Sequence, residues 1–196
     1  MKAAGKTALM LIDVQHGIDA VAHWGGNRNN PEAEENIERL LRHCRALNCV
    51  IVIVQHDSVS PTSPFRPGQR GNELKDFVNV LAGEKSIHKS TTSAFMKTDL
   101  LQHLQTQGVS KLIITGFVTN NSVEATARMA GEFGFDTTVV SDATATFDKV
   151  LLDGTKQPSA LIHQISLSNL NGEYATIATT QEVMAALRPE HNPTTA

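Results

Sequence analysis

The chain has 196 residues, 40 % of them hydrophobic and 19 % charged, with seventeen basic against twenty acidic side chains and a net charge of −3. This is enough for one α/β domain with a substantial core, and the composition is that of a globular chain rather than a disordered one. Nine aromatics and no basic stripe leave a nucleic-acid role without support. No apolar run approaches the ~20 residues of a membrane span, so a membrane role is not expected.

The N-terminal "MKAAGKTALMLIDVQ" carries an apolar stretch that Asp13 interrupts early, so it reads as a first strand, "ALMLIDV" (Ala8–Val14), and not as a signal peptide. An irregular segment, Asp19–Asn30, follows and contains Trp24, the only tryptophan. "PEAEENIERLLRHCRAL" opens with Pro31 and acidic residues, as a helix N-terminus prefers, and carries Ile37, Leu40, Leu41 and Cys44 at helical spacing. "CVIVIVQ" (Cys49–Gln55) is a second continuous β-branched run. A second irregular segment, Asp57–Asn72, holds three prolines and two glycines. Loops this long in a compact domain are usually functional lids or subunit contacts.

"KSIHK" (Lys85–Lys89) is a weaker strand candidate, and "KTDLLQHLQTQG" a helix that stops at Gly108. Then come the strand "KLIITGF" (Lys111–Phe117), the helical "SVEATARMAGEFG", the strand "DTTVVSDA" (Asp136–Ala143), the helical "SALIHQISLSNLNG" and the strand "YATIAT" (Tyr174–Thr179). This alternation implies a parallel sheet with right-handed crossovers and helices on both faces. The expected fold is a single domain over 1–196, a three-layer α/β/α structure with a mostly parallel six-stranded sheet.

In such a sheet ligands bind beyond the carboxyl ends of the strands. Asp13 closes the first strand, and a carboxylate after five apolar residues needs a partner if buried. Lys89 ends "KSIHK". Ser122 sits at the first turn of a helix, where a serine serves as an N-cap and where helix N–H groups also hold an oxyanion. Each alone is weak evidence; the three at strand ends together suggest a catalytic constellation.

"LIDVQ", the lysine ahead of "SAF", and "TGFVTNNSVEATARMAGEFGFDTTVVSDATATF" together resemble the isochorismatase-like hydrolases, the cysteine hydrolase superfamily, over most of the chain and in that family's order. The resemblance implies an Asp–Lys–Cys triad. Asp13 takes the place of the aspartate, a general base or acid, and Lys89 that of the charge-stabilising lysine. Ser122 falls where the family has its cysteine. The resemblance also implies a cis peptide, expected at Val118–Thr119, and an oxyanion hole from the backbone of Val118, Thr119 and Ser122. Four readings of the serine stay open: an engineered Cys→Ser replacement, a native serine nucleophile, proton transfer by the aspartate with water attacking, as in true isochorismatases, or binding without turnover.

Candidate substrate contacts are Gln15, Trp24, His56 and Asn121. Trp24 either packs on a neighbouring subunit or closes over a flat substrate. Nicotinamidases of this superfamily hold a metal after the second strand. Here "VQHDSVSPTSPF" lacks the ligand spacing, and adjacent residues such as His56 and Asp57 point to opposite sides of an extended chain, so no metal and no cofactor are expected. Asp142 in "SDATATF" reads as a structural cap. "GEKS" lacks the upstream glycine of a phosphate loop. Cys44 and Cys49 read as buried structural thiols, and two cysteines make no disulfide framework, which suits a reducing cytoplasm. The expected activity is hydrolysis of a small-molecule C–N bond, amide or carbamoyl, or of a vinyl ether. The alternative is a catalytically silent ligand-binding or assembly protein. The family's habit implies a homo-oligomer, a dimer or tetramer, with the two long loops at an interface.

Overall fold

The first strand, β1 (Lys6–Ile12), shows why the sheet lies in the middle of the molecule. Every residue from Ala8 to Ile12 is buried, so both of its faces must be covered. A computed structural model describes residues 5–187. In it β1 is flanked on one side by β2 (Val50–His56) and then β3 (Lys85–Lys89). On the other side lie β4 (Val109–Phe117), β5 (Asp136–Ala145) and β8 (Thr176–Ala178). All five pairings in this six-stranded sheet are parallel. A separate antiparallel hairpin, β6 (Lys149–Val150) and β7 (Lys156–Gln157), projects after β5.

Alternate side chains of β1 enter two different cores, as the twofold period of a strand requires. Ala8, Met10 and Ile12 pack with Val52, Val54, Leu100, Leu104, Ala127 and Leu170. Those residues bring α3 (Leu100–Thr106), α4 (Glu124–Glu132) and α5 (Ser159–Leu170) onto one face. Leu9 and Leu11 pack with Ile37, Leu40, Leu41, Ile53, Phe117 and Val183, and so hold α2 (Ala33–Ala46) and α6 (Thr180–Ala186) on the other. The result is the expected three-layer α/β/α domain.

The strand order reverses between β1 and β4. From β1 the chain winds outward through β2 and β3, then returns to the far side of β1 and winds outward through β5 and β8. The carboxyl ends of β1 and β4 therefore flank the crevice where ligands bind in sheets of this type. Gly116 keeps these two strands close. Its φ is +112°, and a Cβ placed there would lie 2.0 Å from the Ile12 carbonyl oxygen.

Several elements went unread in the sequence. The short helix α1 (Val21–Trp24) lies inside the first irregular segment. The hairpin and α6 are also additional, and α6 begins with a capping box between Thr179 and Glu182. The cis peptide bond joins Phe117 and Val118, one residue earlier than the expected Val118–Thr119. Asp142 does cap a helix: its Oδ1 accepts from the Thr180 amide at 2.7 Å and the Thr180 hydroxyl at 2.8 Å.

Gly116→Ala is expected to cost about 2–4 kcal/mol, because the new methyl meets backbone on the neighbouring strand and the left-handed conformation is lost to it. Urea unfolding of the purified variant against the parent measures it.

Candidate active site

Asp13 follows β1 with a φ of 52°, a left-handed conformation that aspartate tolerates better than most residues. Its amide donates to the Val54 carbonyl at 2.9 Å, which fixes the turn against β2. Lys89 ends β3, two strands away, and its side chain runs beneath β2 to reach the carboxylate. Nζ lies 2.8 Å from Asp13 Oδ2. It also donates to Ser122 Oγ at 3.2 Å, His56 Nδ1 at 3.3 Å and the Thr91 carbonyl at 3.3 Å. Asp13, Lys89 and Ser122 are 2 %, 3 % and 6 % exposed. The three residues are thus one hydrogen-bonded group, largely removed from water. Asp13 Oδ1 has no hydrogen-bond partner among the described residues.

Ser122 lies in a wide turn, Thr119–Val123, that feeds directly into α4. Its hydroxyl pairs with Lys89 instead of a helix amide. The capping role that a serine at this position suggests is therefore not the one it plays. The turn stands at a helix N-terminus, where the backbone dipoles favour negative charge.

The structure adds a residue that the sequence gave no reason to select. His163 on α5 is nine-tenths buried, with Nδ1 2.9 Å from Thr119 Oγ1 and Nε2 3.0 Å from the Ser141 carbonyl. The carbonyl only accepts, so Nε2 carries the proton and Nδ1 accepts from the threonine. Burial holds this ring below the ordinary histidine value of 6.5. Ser166, one turn further along α5, donates to Glu124 Oε2 at 2.5 Å, with its oxygen 3.3 Å from the Thr119 carbonyl. His163 pins the first residue of the turn that presents Ser122.

A cleft of about 330 Å³ opens above the group. Asp13, His56, Asn121 and Ser122 line it, Trp24 and Phe65 form its aromatic wall, and serines and threonines of the loops after β2 and β3 complete it. Trp24 is anchored from within the chain. Its Nε1 donates to the Gly17 carbonyl at 2.8 Å, and its ring packs on Phe65 and Phe147 with centroids 5.0 and 6.1 Å away. His56 lies half-buried beside the ammonium. Burial first, then the Lys89 charge, push its ring below the ordinary value.

Gln15 stands elsewhere. It is fully buried and does not line the cleft. Its side-chain amide donates to the carbonyls of His56 and Asn72 at 3.1 and 2.7 Å and accepts from the His56 amide at 2.8 Å. It ties β1 to β2 and to the long loop. Asn72 closes that loop from its far end, donating to His56, Asp57 and Phe65. His56 and Asp57 diverge: His56 faces Lys89, while Asp57 Oδ2 lies 2.9 Å from His88 Nδ1. Among the described residues no three His, Cys, Asp or Glu side chains gather as a metal site. Cys44 is buried in the α2 core, and its hydrogen bond with Cys49, then burial, raise its thiol far above the ordinary range. Cys49 is half-buried rather than buried. Neither approaches Ser122.

A parallel sheet that reverses order over an aspartate, a lysine and a hydroxyl defines a three-layer α/β protein with this polar group at its switch point. Comparison with known proteins gives the family. The isochorismatase domain family matches residues 7–182. The isochorismatase family protein YrdC of Bacillus subtilis is 39 % identical over 179 residues, covering 91 % of this chain and 95 % of its own. Nicotinamidase 3 of Arabidopsis thaliana is 29 % identical over 161 residues, 76 % of this chain and 77 % of its own. A solved isochorismatase-family structure from Chromobacterium violaceum superposes with a TM-score of 0.88 at 40 % identity, covering 94 % of each chain. The chain belongs to the isochorismatase family and is a hydrolase of that family.

Two measurements probe this geometry. Lys89→Met should destabilise the fold by about 3–5 kcal/mol, because it strands a buried carboxylate, and adding Asp13→Asn should recover much of that loss. Chemical denaturation of the single and double variants reads it. The second concerns pH. His56 and His163 have lowered values in the folded state, so the unfolded chain binds their protons first. Stability should therefore be unaffected by these rings above about pH 7 and should fall as pH drops through about 6.5. His163→Gln should flatten that fall in a series of thermal melts.

Proposed function

We propose that this protein hydrolyses a small-molecule C–N bond, an amide or carbamoyl group, with Asp13, Lys89 and Ser122 as the catalytic residues. The observation that carries the reading is the buried hydrogen-bonded group of these three side chains on the floor of a cleft. A relative named as a nicotinamidase adds support for amide chemistry. In the proposed reaction Ser122 Oγ attacks the carbonyl carbon and its proton passes to Asp13. The carboxyl then delivers that proton to the leaving nitrogen as the C–N bond breaks. Water, deprotonated by Asp13, resolves the acyl-serine and regenerates the hydroxyl. The backbone amides at Val118, Thr119 and Ser122 hold the developing oxyanion, and Lys89 stabilises charge on Ser122 Oγ and Asp13, the groups it donates to. Asn121, His56 and Trp24 contact the substrate.

The serine favours a second reading of the same site. A hydroxyl is far less acidic than a thiol and needs a base during attack. Asp13 protonating a vinyl ether, with water completing the hydrolysis, needs no nucleophile from the protein. A protein that binds without turnover is the reading from a different class.

The proposal extends to assembly and setting. We place the protein in the cytoplasm as a homo-oligomer, a dimer or tetramer. The support is an apolar surface in which Leu152 at the hairpin tip is fully exposed, with Val150 and Leu151 beside it and Leu161 and Ile165 on α5. No helix among the described residues is long and apolar enough to cross a membrane.

Hydrolysis of a small amide, carbamoyl and vinyl-ether panel separates these readings. Under the nucleophilic reading Ser122→Ala abolishes amide turnover and Ser122→Cys raises it steeply. Under proton transfer Ser122→Ala keeps most activity, while Asp13→Asn loses about 10²–10⁴-fold. Turnover that survives both Ser122→Ala and Asp13→Asn would place the chemistry elsewhere. A panel on which Ser122→Cys is also inactive favours the silent binder.

A further inference from the structure

We infer that the cleft selects an uncharged substrate: a small neutral amide or urea, and not one bearing a carboxylate. This rests on the hydrolase reading for the word substrate, but its physical basis is the charge inventory of the cleft. Among the described residues no arginine or lysine lines the cleft. The one ammonium beneath the floor, Lys89, has no side-chain exposure, and its three N–H groups face Asp13, Ser122, His56 and the Thr91 carbonyl. With Asp13 it forms a pair of zero net charge. Among the described residues the only lining group with a fixed charge is therefore the Asp13 carboxylate, which Lys89 already neutralises.

The remaining polar lining is neutral. Ser58, Ser60, Ser90, Thr91 and Thr92 supply hydroxyls and Asn121 an amide. The neighbouring ammonium makes His56 Nδ1 an acceptor and leaves the ring proton on Nε2. Such groups satisfy an amide or urea through hydrogen bonds on both its donor and acceptor sides. They do not offset the desolvation of a substrate carboxylate, for which the cleft holds no unpaired cation among the described lining residues. Nearby cations serve other partners or open elsewhere. Lys156 pairs with Asp148 at 3.1 Å, and Lys149 lines the adjoining cleft beyond Trp24. His23 at the mouth lies edge-on to Trp24 with centroids 4.8 Å apart. The inventory thus discriminates by charge.

The experiment uses matched pairs that differ by one carboxylate: benzamide and 4-carbamoylbenzoate, phenylurea and 4-ureidobenzoate, butyramide and succinamate. Calorimetric binding is measured on the parent protein and on Ser122→Ala at neutral pH, and turnover is followed separately on the parent. The neutral member of each pair should bind at least about tenfold more tightly. Adding a cation at the exposed rim, Thr92→Arg, should narrow that gap by strengthening the carboxylate member alone. Equal or tighter binding of the carboxylate members to the parent overturns the inference. Neutral preference in binding with no turnover of any member upholds the charge selection and counts against the hydrolase reading, so the two failures remain distinguishable.

Discussion

The buried ion pair between Lys89 and Asp13 is the interaction on which the rest of the site depends. Two opposite charges held almost out of water persist only if their remaining hydrogen-bonding capacity is met. Lys89 meets it from four directions, each supplied by a different stretch of chain: Asp13 after β1, His56 ending β2, Thr91 after β3 and Ser122 after β4. The ammonium is therefore a knot joining the carboxyl ends of four adjacent strands. Its position over the reversal in strand order makes the binding crevice and the ion pair a single feature.

Around that knot the structure spends buried polar groups on fixing backbone. Gln15 clasps His56 and Asn72, and Asn72 in turn gathers the ends of the long loop after β2. His163 holds Thr119 from α5. Such buried and half-buried polar links cost little when satisfied and hold one geometry, because losing one partner leaves the other poorly satisfied. Ser122 thus sits on a turn held at its start by α5 and at its hydroxyl by Lys89. In the proposed reaction that two-point restraint would preorganise the attacking hydroxyl.

Much of this was legible in the sequence because local chemistry determines it. Continuous β-branched runs gave the strands, the order of strand and helix gave a parallel sheet, and polar residues directly after apolar strands gave Asp13, Lys89 and Ser122. What was not legible depends on distant partners. Gln15 beside Asp13 looks like a ligand contact until its partners, 41 and 57 residues away, are known. His163, in the middle of an ordinary helical pattern, has meaning only through Thr119, 44 residues earlier. The α6 helix is a different case. Its capping box, Thr179 with Glu182, was present as a local signal. The hairpin strands have two residues each, too short for any periodicity to show.

The serine gains its significance from the same geometry. Lysine can only donate, so Ser122 Oγ receives a hydrogen bond from Nζ and its own proton must point elsewhere. For a thiol in this place the arrangement would favour the thiolate, because the ammonium stabilises an anion that forms near neutral pH. For a hydroxyl the same contact withdraws electron density from a group that stays protonated. In the proposed reaction removal of the proton would fall to a base, and Asp13 lines the cleft. Under the proposed function, attack by Ser122 and direct protonation of substrate would both draw on that carboxylate. The ion pair engages Oδ2 and leaves the buried Oδ1 without a partner among the described residues.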